Sequence, residues 1–341
     1  MRVACPRLSV VIPTLGRPIL VRTLESLLAA DGSDALEIIV AGRLPEGGVL
    51  EALRKLQSGH PHLQHLPVHF EKGDSSEKKN AGFRASRADL VAFIDDDVIV
   101  AKNWPQKIAE PFRDPAVGLV SGPSLVPEDI SLMGRLAGVA LASKAAGYVA
   151  ERYLAGGTAP REVKWSRLIG CNMAYRKSVL ADIGGFDPAF WPGEEMIASF
   201  RATQRGQKLV FHPGAYLYHY PRSSLSSYAR QMWGYGATRI RLMRAGVEFE
   251  PTTIIPALWV LALLVLGVAA PFCGFCLWLL VASMAAYLAG AIFITVDKVI
   301  ETRRLRDALM LPLVPLTHLS YGLAQWVEIF RPGRDLSVKK G

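Results

Sequence analysis

Apolar and polar positions follow two alternating periods over the first two-thirds of the chain. Residues 8–12 are a β-branched run closed by Pro13 and read as an opening strand. In residues 18–30 the period lengthens: Leu20, Val21, Leu24, Leu27 and Leu28 fall on one helical stripe with Pro18 in the first turn. Residues 37–40 give a second strand, 49–56 a second helical stripe, 68–70 a third strand and 81–87 part of a third helix. Leu90–Ile94 is a fourth strand, apolar at each position. Strands that are apolar throughout and alternate with helices predict an α/β fold with a mostly parallel sheet covered on both faces. Ligands of such sheets sit at the carboxyl ends of the strands.

The pattern changes after residue 123. Residues 132–150 are helical, rich in small side chains and weakly amphipathic, which suits a cover over an acceptor site, a membrane contact or a plain packing helix. Strand-like segments return at 173–175 and 209–211, with a helix from about Glu194 to Gln204 between them, stopped by Gly206. Residues 222–244 interleave five arginines with Leu225, Tyr228, Trp233 and Ile240, a composition for a helix at lipid-headgroup level or on a solvated surface. No charged residue occurs in 251–296. A span needs about 20 residues to cross roughly 30 Å of hydrocarbon, so this stretch predicts two, at about 254–270 and 272–296. A third hydrophobic segment, 308–330, contains Pro312, Pro315 and His318 and is expected to enter and return, or to lie at the interface. The expected organisation is a first domain over 1–221, an amphipathic region over 222–250, a transmembrane region over 251–330 and a basic tail over 331–341.

Charge narrows the partners. The formal net charge of +9 fits nucleic acid, an anionic membrane or anionic substrates. The aromatic-plus-basic modules of RNA binders are missing, which leaves membrane lipids and phosphate and argues against nucleic acid. Lys298, Arg303, Arg304 and Arg306, then Arg331, Arg334, Lys339 and Lys340, form two basic clusters expected on the cytoplasmic side. The opening residues lack a signal-peptide pattern, since Pro13 ends the apolar stretch. Together these predict a multi-pass protein of the cell inner or plasma membrane with its first domain in the cytoplasm. The four cysteines, Cys5, Cys171, Cys273 and Cys276, show no disulfide framework. The Cys273/Cys276 pair has no second pair or nearby histidine and reads as ordinary membrane residues.

Candidate chemistry concentrates in four places. Asp95-Asp96-Asp97 closes the fourth strand, and adjacent carboxylates there repel one another unless a cation is present. Alternation along a strand lets Asp95 and Asp97 serve one ligand while Asp96 points elsewhere. Oxygen ligands suit Mg2+ or Mn2+, which would clamp a departing diphosphate. Glu194 and Glu195 follow a Pro192-Gly193 turn; acids in a first turn favour the helix dipole, or one of them acts as a general base. Lys78-Lys79-Asn80 at a helix start offers cations and N–H groups to a phosphate, or is simply solvated. His219 is either a structural histidine or, if it faces the acidic run, a metal ligand or diphosphate contact.

The ordered set of motifs resembles glycosyltransferase family 2, of GT-A fold and non-processive type. Its pieces are Ser9-Val10-Val11-Ile12-Pro13-Thr14, Lys79-Asn80-Ala81-Gly82, Asp95-Asp96-Asp97, Gly170-Cys171-Asn172, Gly184-Gly185-Phe186-Asp187, Gly193-Glu194-Glu195 and the stretch from Arg205 to His219. The resemblance implies an inverting single displacement from a nucleotide-diphosphate sugar. Pro13 and Thr14 would border the base pocket, and Lys79, Asn80, Asp95, Asp96 and Asn172 would bind the nucleotide sugar. Asp95, Asp97 and His219 would hold a divalent cation, Mn2+ or Mg2+. Glu195 would fill the catalytic acid position and Glu194 the residue before it. Two features depart from the family: Val40-Ala41-Gly42-Arg43 lacks its usual acid after the second strand, and Glu195 stands where it usually has Asp. Gln231-Met232-Trp233-Gly234-Tyr235 lacks the Q-x-x-R-W of processive synthases, which implies one sugar per encounter.

The implied function is sugar transfer to a lipid-linked acceptor, such as a polyprenyl-diphosphate saccharide, in envelope or exopolysaccharide synthesis. The alternatives are a polyprenyl-phosphate sugar synthase, or a catalytically silent nucleotide-sugar-binding membrane scaffold.

Overall fold

The computed structural model describes residues 7–70, 74–154, 156–157, 159–248 and 250–331. Cys5 and the basic tail beyond Arg331 lie outside them. Strands occupy Leu8–Pro13 (β1), Leu36–Ala41 (β2), Leu63–Leu66 (β3), Leu90–Ile94 (β4), Val98–Val100 (β5), Val117–Ser121 (β6), Ser124–Leu125 (β7), Arg161–Glu162 (β8), Asn172–Arg176 (β9), Lys208–Phe211 (β10) and Leu217–His219 (β11). Helices occupy Ile19–Leu28 (α1), Gly48–Gly59 (α2), Asp74–Ala85 (α3), Trp104–Ala109 (α4), Leu132–Leu141 (α5) and Lys177–Asp182 (α6). They continue as Glu194–Gln204 (α7), Leu225–Arg244 (α8), Ile255–Ala269 (α9), Gly274–Thr302 (α10) and Leu313–Phe330 (α11). The chain divides into two compact units: Met1–Pro127 with Glu151–Tyr220, and Glu128–Ala150 with Pro221–Gly341.

The first unit is built on an eight-stranded sheet of order β3-β2-β1-β4-β9-β6-β10-β8. β1, β2, β3 and β4 run parallel, as do β6 and β10, while β9 runs antiparallel to both its neighbours and β8 to β10. The sheet is thus mostly parallel, and β1 shows why apolar side chains fill both phases of its central strands. Val10 and Ile12 join the core with Leu20, Leu24 and Leu27 of α1, while Val11 between them faces α3, where its side chain meets the Gly82 backbone. Both faces are covered, so a polar residue is kept only where it is paired, as Ser9 is through its hydroxyl, which donates to the buried Glu37 carboxylate. A second sheet, β5-β11-β7, sits past the ends of β4 and β6 in the chain and carries His219 on its middle strand.

Two local expectations shift. The third strand is Leu63–Leu66 rather than 68–70. Leu63 pairs with Ile38 of β2, and Pro67, which has no N–H, ends the ladder. The helix expected over 132–150 stops at Leu141 and gives way to 3-10 turns interrupted at Gly147.

In the second unit, α8 packs along α11 through a Tyr228–Thr317 hydroxyl pair at 2.7 Å and an Arg241–Glu328 ion pair at 3.1 Å. Arg241 and Arg244 of the 222–244 stretch therefore have partners on α11 or just after it, since Arg244 also donates to the Ile329 carbonyl. α5 is tied to the segment after α10 by a bidentate Arg135–Asp307 pair, both bonds 2.7 Å. Among the described residues two helices are long and apolar enough to cross a membrane, Pro251–Ala269 and Gly274–Thr302. Large side chains on them, including Leu264, Phe275, Trp278 and Phe293, are exposed.

Candidate active site

Asp95, Asp96 and Asp97 form the turn between β4 and β5, and the turn sends adjacent carboxylates in different directions. β4 lies beside β1, which brings Asp96 to the loop that follows β1. There one Asp96 oxygen accepts the Thr14 hydroxyl at 2.6 Å and the Leu15 N–H at 3.3 Å, and the other pairs with the Arg17 guanidinium. The same guanidinium nitrogen is 2.9 Å from Asp97 Oδ2. Thr14 is fixed further by Gly16 N–H, which donates to its hydroxyl at 2.9 Å, and by Lys78 Nζ, which donates to its carbonyl at 2.8 Å.

The other two aspartates meet His219. β11 runs antiparallel to β5 with His219 opposite Val98, and Tyr220 N–H donates to the Asp97 carbonyl at 3.1 Å. That register closes a separation of more than a hundred residues and sets His219 Nε2 3.1 Å from Asp97 Oδ1 and 3.8 Å from Asp95 Oδ2. One ligand atom from each of Asp95, Asp97 and His219 lies within 4.8 Å of the others. Burial, and then the Asp97 charge, push the Asp95 carboxyl above its ordinary range, while His219 and Lys79 oppose the shift. Two carboxylate oxygens and an imidazole nitrogen gathered this closely form a donor set that fits a divalent cation.

The glutamates split as well. Gly193 precedes α7, and its N–H donates to Glu194 Oε2 at 3.1 Å. The other Glu194 oxygen accepts Lys79 Nζ at 2.8 Å, with both side chains buried. Lys79 also lies over the Phe186 ring, 5.3 Å from its centroid. Burial works against the Lys79 charge, but Glu194, Glu195 and Asp95 overcome it and hold the ammonium above its usual value. Glu195 is only partly buried. Its side chain lies against Gly170, where a Cβ would sit 3.0 Å from Glu195 Cγ, so a larger residue at 170 would press on the Glu195 side chain. Burial, then Glu194, raise the Glu195 carboxyl above its ordinary range, with Lys79 and Arg152 pulling the other way.

The sheet register connects the two acidic groups. β9 is antiparallel to β4 with Asn172 opposite Ile94, so residues 170–171 run out beside the aspartate turn. Cys171 feels Asp95, Asp97 and Lys79 together, and Lys79 feels both Asp95 and Glu195. A metal-type donor set and a partly open carboxylate of raised basicity thus share one end of the sheet.

Several of the residues expected at the nucleotide sugar make defined contacts within the protein. The Asn172 carboxamide, expected to line a donor sugar, is fully buried; it accepts Trp104 Nε1–H at 2.9 Å and donates to the Pro123 and Ala215 carbonyls at 3.1 and 2.8 Å. Asn80, also expected at the nucleotide sugar, exchanges two 2.8 Å bonds with the Phe186 backbone. That clasp requires Gly185, at φ +75°, because a Cβ there would sit 2.6 Å from Asn80 Oδ1. Lys79, expected near phosphate, is turned into the Glu194 pair, and Asp96 is occupied by the β1 loop. Pro13 ends β1 in register with Ala41, and Thr14 is buried beneath Asp96. Arg17 was not singled out from the sequence. Its signal was present: three adjacent carboxylates at a buried strand end call for a cation, and Arg17 is the first one after β1.

With this geometry established, known proteins supply the comparison. The family model described as glycosyltransferase like family 2 matches residues 6–236. The chain belongs to that family of glycosyltransferases. Pre-mycofactocin glycosyltransferases from two strains of Mycobacterium tuberculosis are each 27% identical over 179 residues, 52% of this chain. The match spans only about a third, 35%, of the length of those relatives. The mannosyltransferase PcManGT from Pyrobaculum calidifontis, solved in complex with GDP-Man and Mn2+, superposes with a TM-score of 0.58 at 18% identity. That superposition covers 95% of this chain and 87% of PcManGT, and it establishes the GT-A fold.

Proposed function

We propose that this glycosyltransferase moves a sugar from a nucleotide-diphosphate donor to a lipid-linked acceptor, by inverting single displacement, at the cytoplasmic face of a membrane. The observation that carries the proposal is the convergence of Asp95, Asp97 and His219 within 4.8 Å at the sheet end that also carries Glu195. Asp95, Asp97 and His219 would hold the cation, and the imidazole makes the mixed donor set a better match to Mn2+ than to Mg2+. When bound, such an ion neutralises charge on a leaving diphosphate. Glu195 takes the proton from the acceptor hydroxyl as its oxygen attacks the anomeric carbon. The bond from that carbon to the diphosphate oxygen breaks, and the nucleoside diphosphate leaves with the electron pair. Attack opposite the leaving group inverts the anomeric centre. The raised Glu195 carboxyl suits this part, because a base works best with its pKa near the operating pH.

The lipid acceptor is supported by the exposed apolar faces of the two long helices. At 1.5 Å per residue, Gly274–Thr302 extends about 44 Å, more than a bilayer core requires. Two crossings would return the chain to its starting side, and the basic Arg303, Arg304 and Arg306 after the second helix support the cytoplasm as that side.

The test uses the full chain in detergent with GDP-mannose, UDP-glucose, UDP-galactose and UDP-N-acetylglucosamine, each with Mn2+, Mg2+ or chelator. Nucleoside diphosphate release that needs the metal, and a product of inverted anomeric configuration by NMR, are expected. A retained configuration would overturn the displacement, and metal-independent release the cation. Acceptors should include polyprenyl-diphosphate saccharides, polyprenyl phosphate and, because of the name its relatives carry, pre-mycofactocin. Transfer to pre-mycofactocin alone would overturn the lipid acceptor.

A further inference from the structure

Glu194 and Glu195 are identical in type and adjacent in sequence, yet they occupy different environments. Both Glu194 oxygens are engaged, one by Lys79 Nζ at 2.8 Å and one by Gly193 N–H at 3.1 Å, and the side chain is buried. Glu195 next to it is partly exposed and rests on a glycine backbone. Lys79 is itself held in place. Asn80 clasps the Phe186 backbone through two 2.8 Å bonds, which pins this turn of α3 to the 185–186 loop, and the Lys79 ammonium stacks over the Phe186 ring.

We propose that Lys79 is a positioning residue that divides the glutamate pair: by clamping Glu194 in a buried ion pair, it leaves Glu195 as the one member open to an acceptor hydroxyl. The inference deepens the function proposed above and rests on it. Without Lys79, two carboxylates at the start of one helix would compete for a shared proton, and neither would be a defined base. With it, Glu194 becomes a fixed negative charge beside Glu195, and Lys79 a fixed positive one. Among the described residues, Glu194, Lys79 and Arg152 are the charged groups that act most strongly on Glu195, and the buried Tyr175 hydroxyl lies within its field.

The two charges of the clamp act on Glu195 with opposite sign, and a merely structural pair would not reproduce that. The experiment measures the pH profile of kcat for Lys79→Met, Lys79→Arg, Glu194→Gln and the double variant Lys79→Met/Glu194→Gln. It follows nucleoside diphosphate release by the full chain in detergent, with whichever donor of the named panel reacts fastest. Lys79→Met should move the acid limb up by about one pH unit, and Glu194→Gln should move it down by a similar amount. The double variant should return close to the wild type, and Lys79→Arg should stay there. Melting temperatures should show the same coupling: Lys79→Met loses stability by stranding a buried carboxylate, and adding Glu194→Gln recovers much of it. The proposal is overturned if both single variants move the limb the same way, if neither moves it while melting reports an intact fold, or if the double variant is no more stable than Lys79→Met. Full activity in Glu195→Gln would instead defeat the assignment of the base, whatever Lys79 does, so the two failures can be told apart.

Discussion

The aspartate turn and the glutamate helix start solve one electrostatic problem in the same way. Each begins as a run of adjacent acids that repel one another. In the turn, Arg17 reaches Asp96 and Asp97, and Asp96 becomes the anchor of the β1 loop while Asp95 and Asp97 turn to His219. At the helix start, Lys79 takes Glu194 and leaves Glu195 partly exposed. The difference lies in the cation. Arg17 is 41% exposed and bridges two carboxylates, whereas Lys79 is 6% exposed and serves one. Neighbours in sequence therefore need not share a task, and the basic residue that arrives from elsewhere in the fold decides which acid is structural and which stays available.

The largest expected effect comes from removing an available member. Glu195→Gln should lower kcat by roughly 10²- to 10⁴-fold, the usual worth of a positioned base, with no loss in melting temperature. The comparison breaks if Glu194→Gln, measured in parallel, is as severe. Next comes the contrast within the turn. Asp97→Asn should weaken the Mn2+ dependence of turnover at least about tenfold through its site with His219. Asp96→Asn should act mainly on stability, because it weakens charge-assisted bonds to Arg17, Thr14 and Leu15. Such bonds contribute about 1.5–3 kcal/mol in favourable cases, so thermal melting should fall by several degrees. Equal effects of both variants on both readouts would show that the turn does not divide its acids.

A smaller effect concerns pH. The Glu195 carboxyl is raised in the fold by burial and by Glu194, so the folded state holds that proton more tightly than the unfolded chain. Its contribution to stability is therefore unfavourable at neutral pH and is relieved as pH falls through the raised value. Activity moves the other way, because a base must be ionised. Turnover should decline on an acid limb above the ordinary carboxylate range while the melting temperature does not decline with it, and Glu195→Gln should flatten the stability profile over that window. A parallel decline of both in the wild type would mean that the acid limb reports unfolding instead of titration.

What the sequence revealed, and what it hid, follows from the range of the interactions. β1, α1 and β4 were legible because their apolar periods report burial residue by residue. The start and end of α7 were legible because Gly193 and Gly206 bracket it. The aspartates, His219 and the glutamates could be chosen by chemical type. Their partners could not, because each pairing joins elements far apart in the chain: Asp96 with Arg17, Glu194 with Lys79 and Asn172 with Trp104. The internal partners of Asn80 and Asn172 were hidden for the same reason, since a sequence shows a carboxamide and not the buried carbonyls and N–H groups around it. The third strand was misplaced because the half-buried Leu63–Leu66 is polar at Gln64 and His65 and carries little periodic signal.

The smallest effect is a calibration of the comparison. Lys208 and Asp114 form an ion pair at 3.1 Å, close in length to the Lys79–Glu194 pair, but 47% and 45% exposed. If a short lysine–carboxylate distance alone gave these pairs their influence, Lys208→Met would resemble Lys79→Met. Water already solvates both members of the exposed pair, and salt screens what attraction remains. Lys208→Met should therefore leave the melting temperature within measurement error and the pH profile of turnover in place, while Lys79→Met changes both. A clear loss from Lys208→Met would mean that distance, rather than burial beside a second carboxylate, governs these pairs, and the distinction between the clamped and the free acids would then have to be drawn on other grounds.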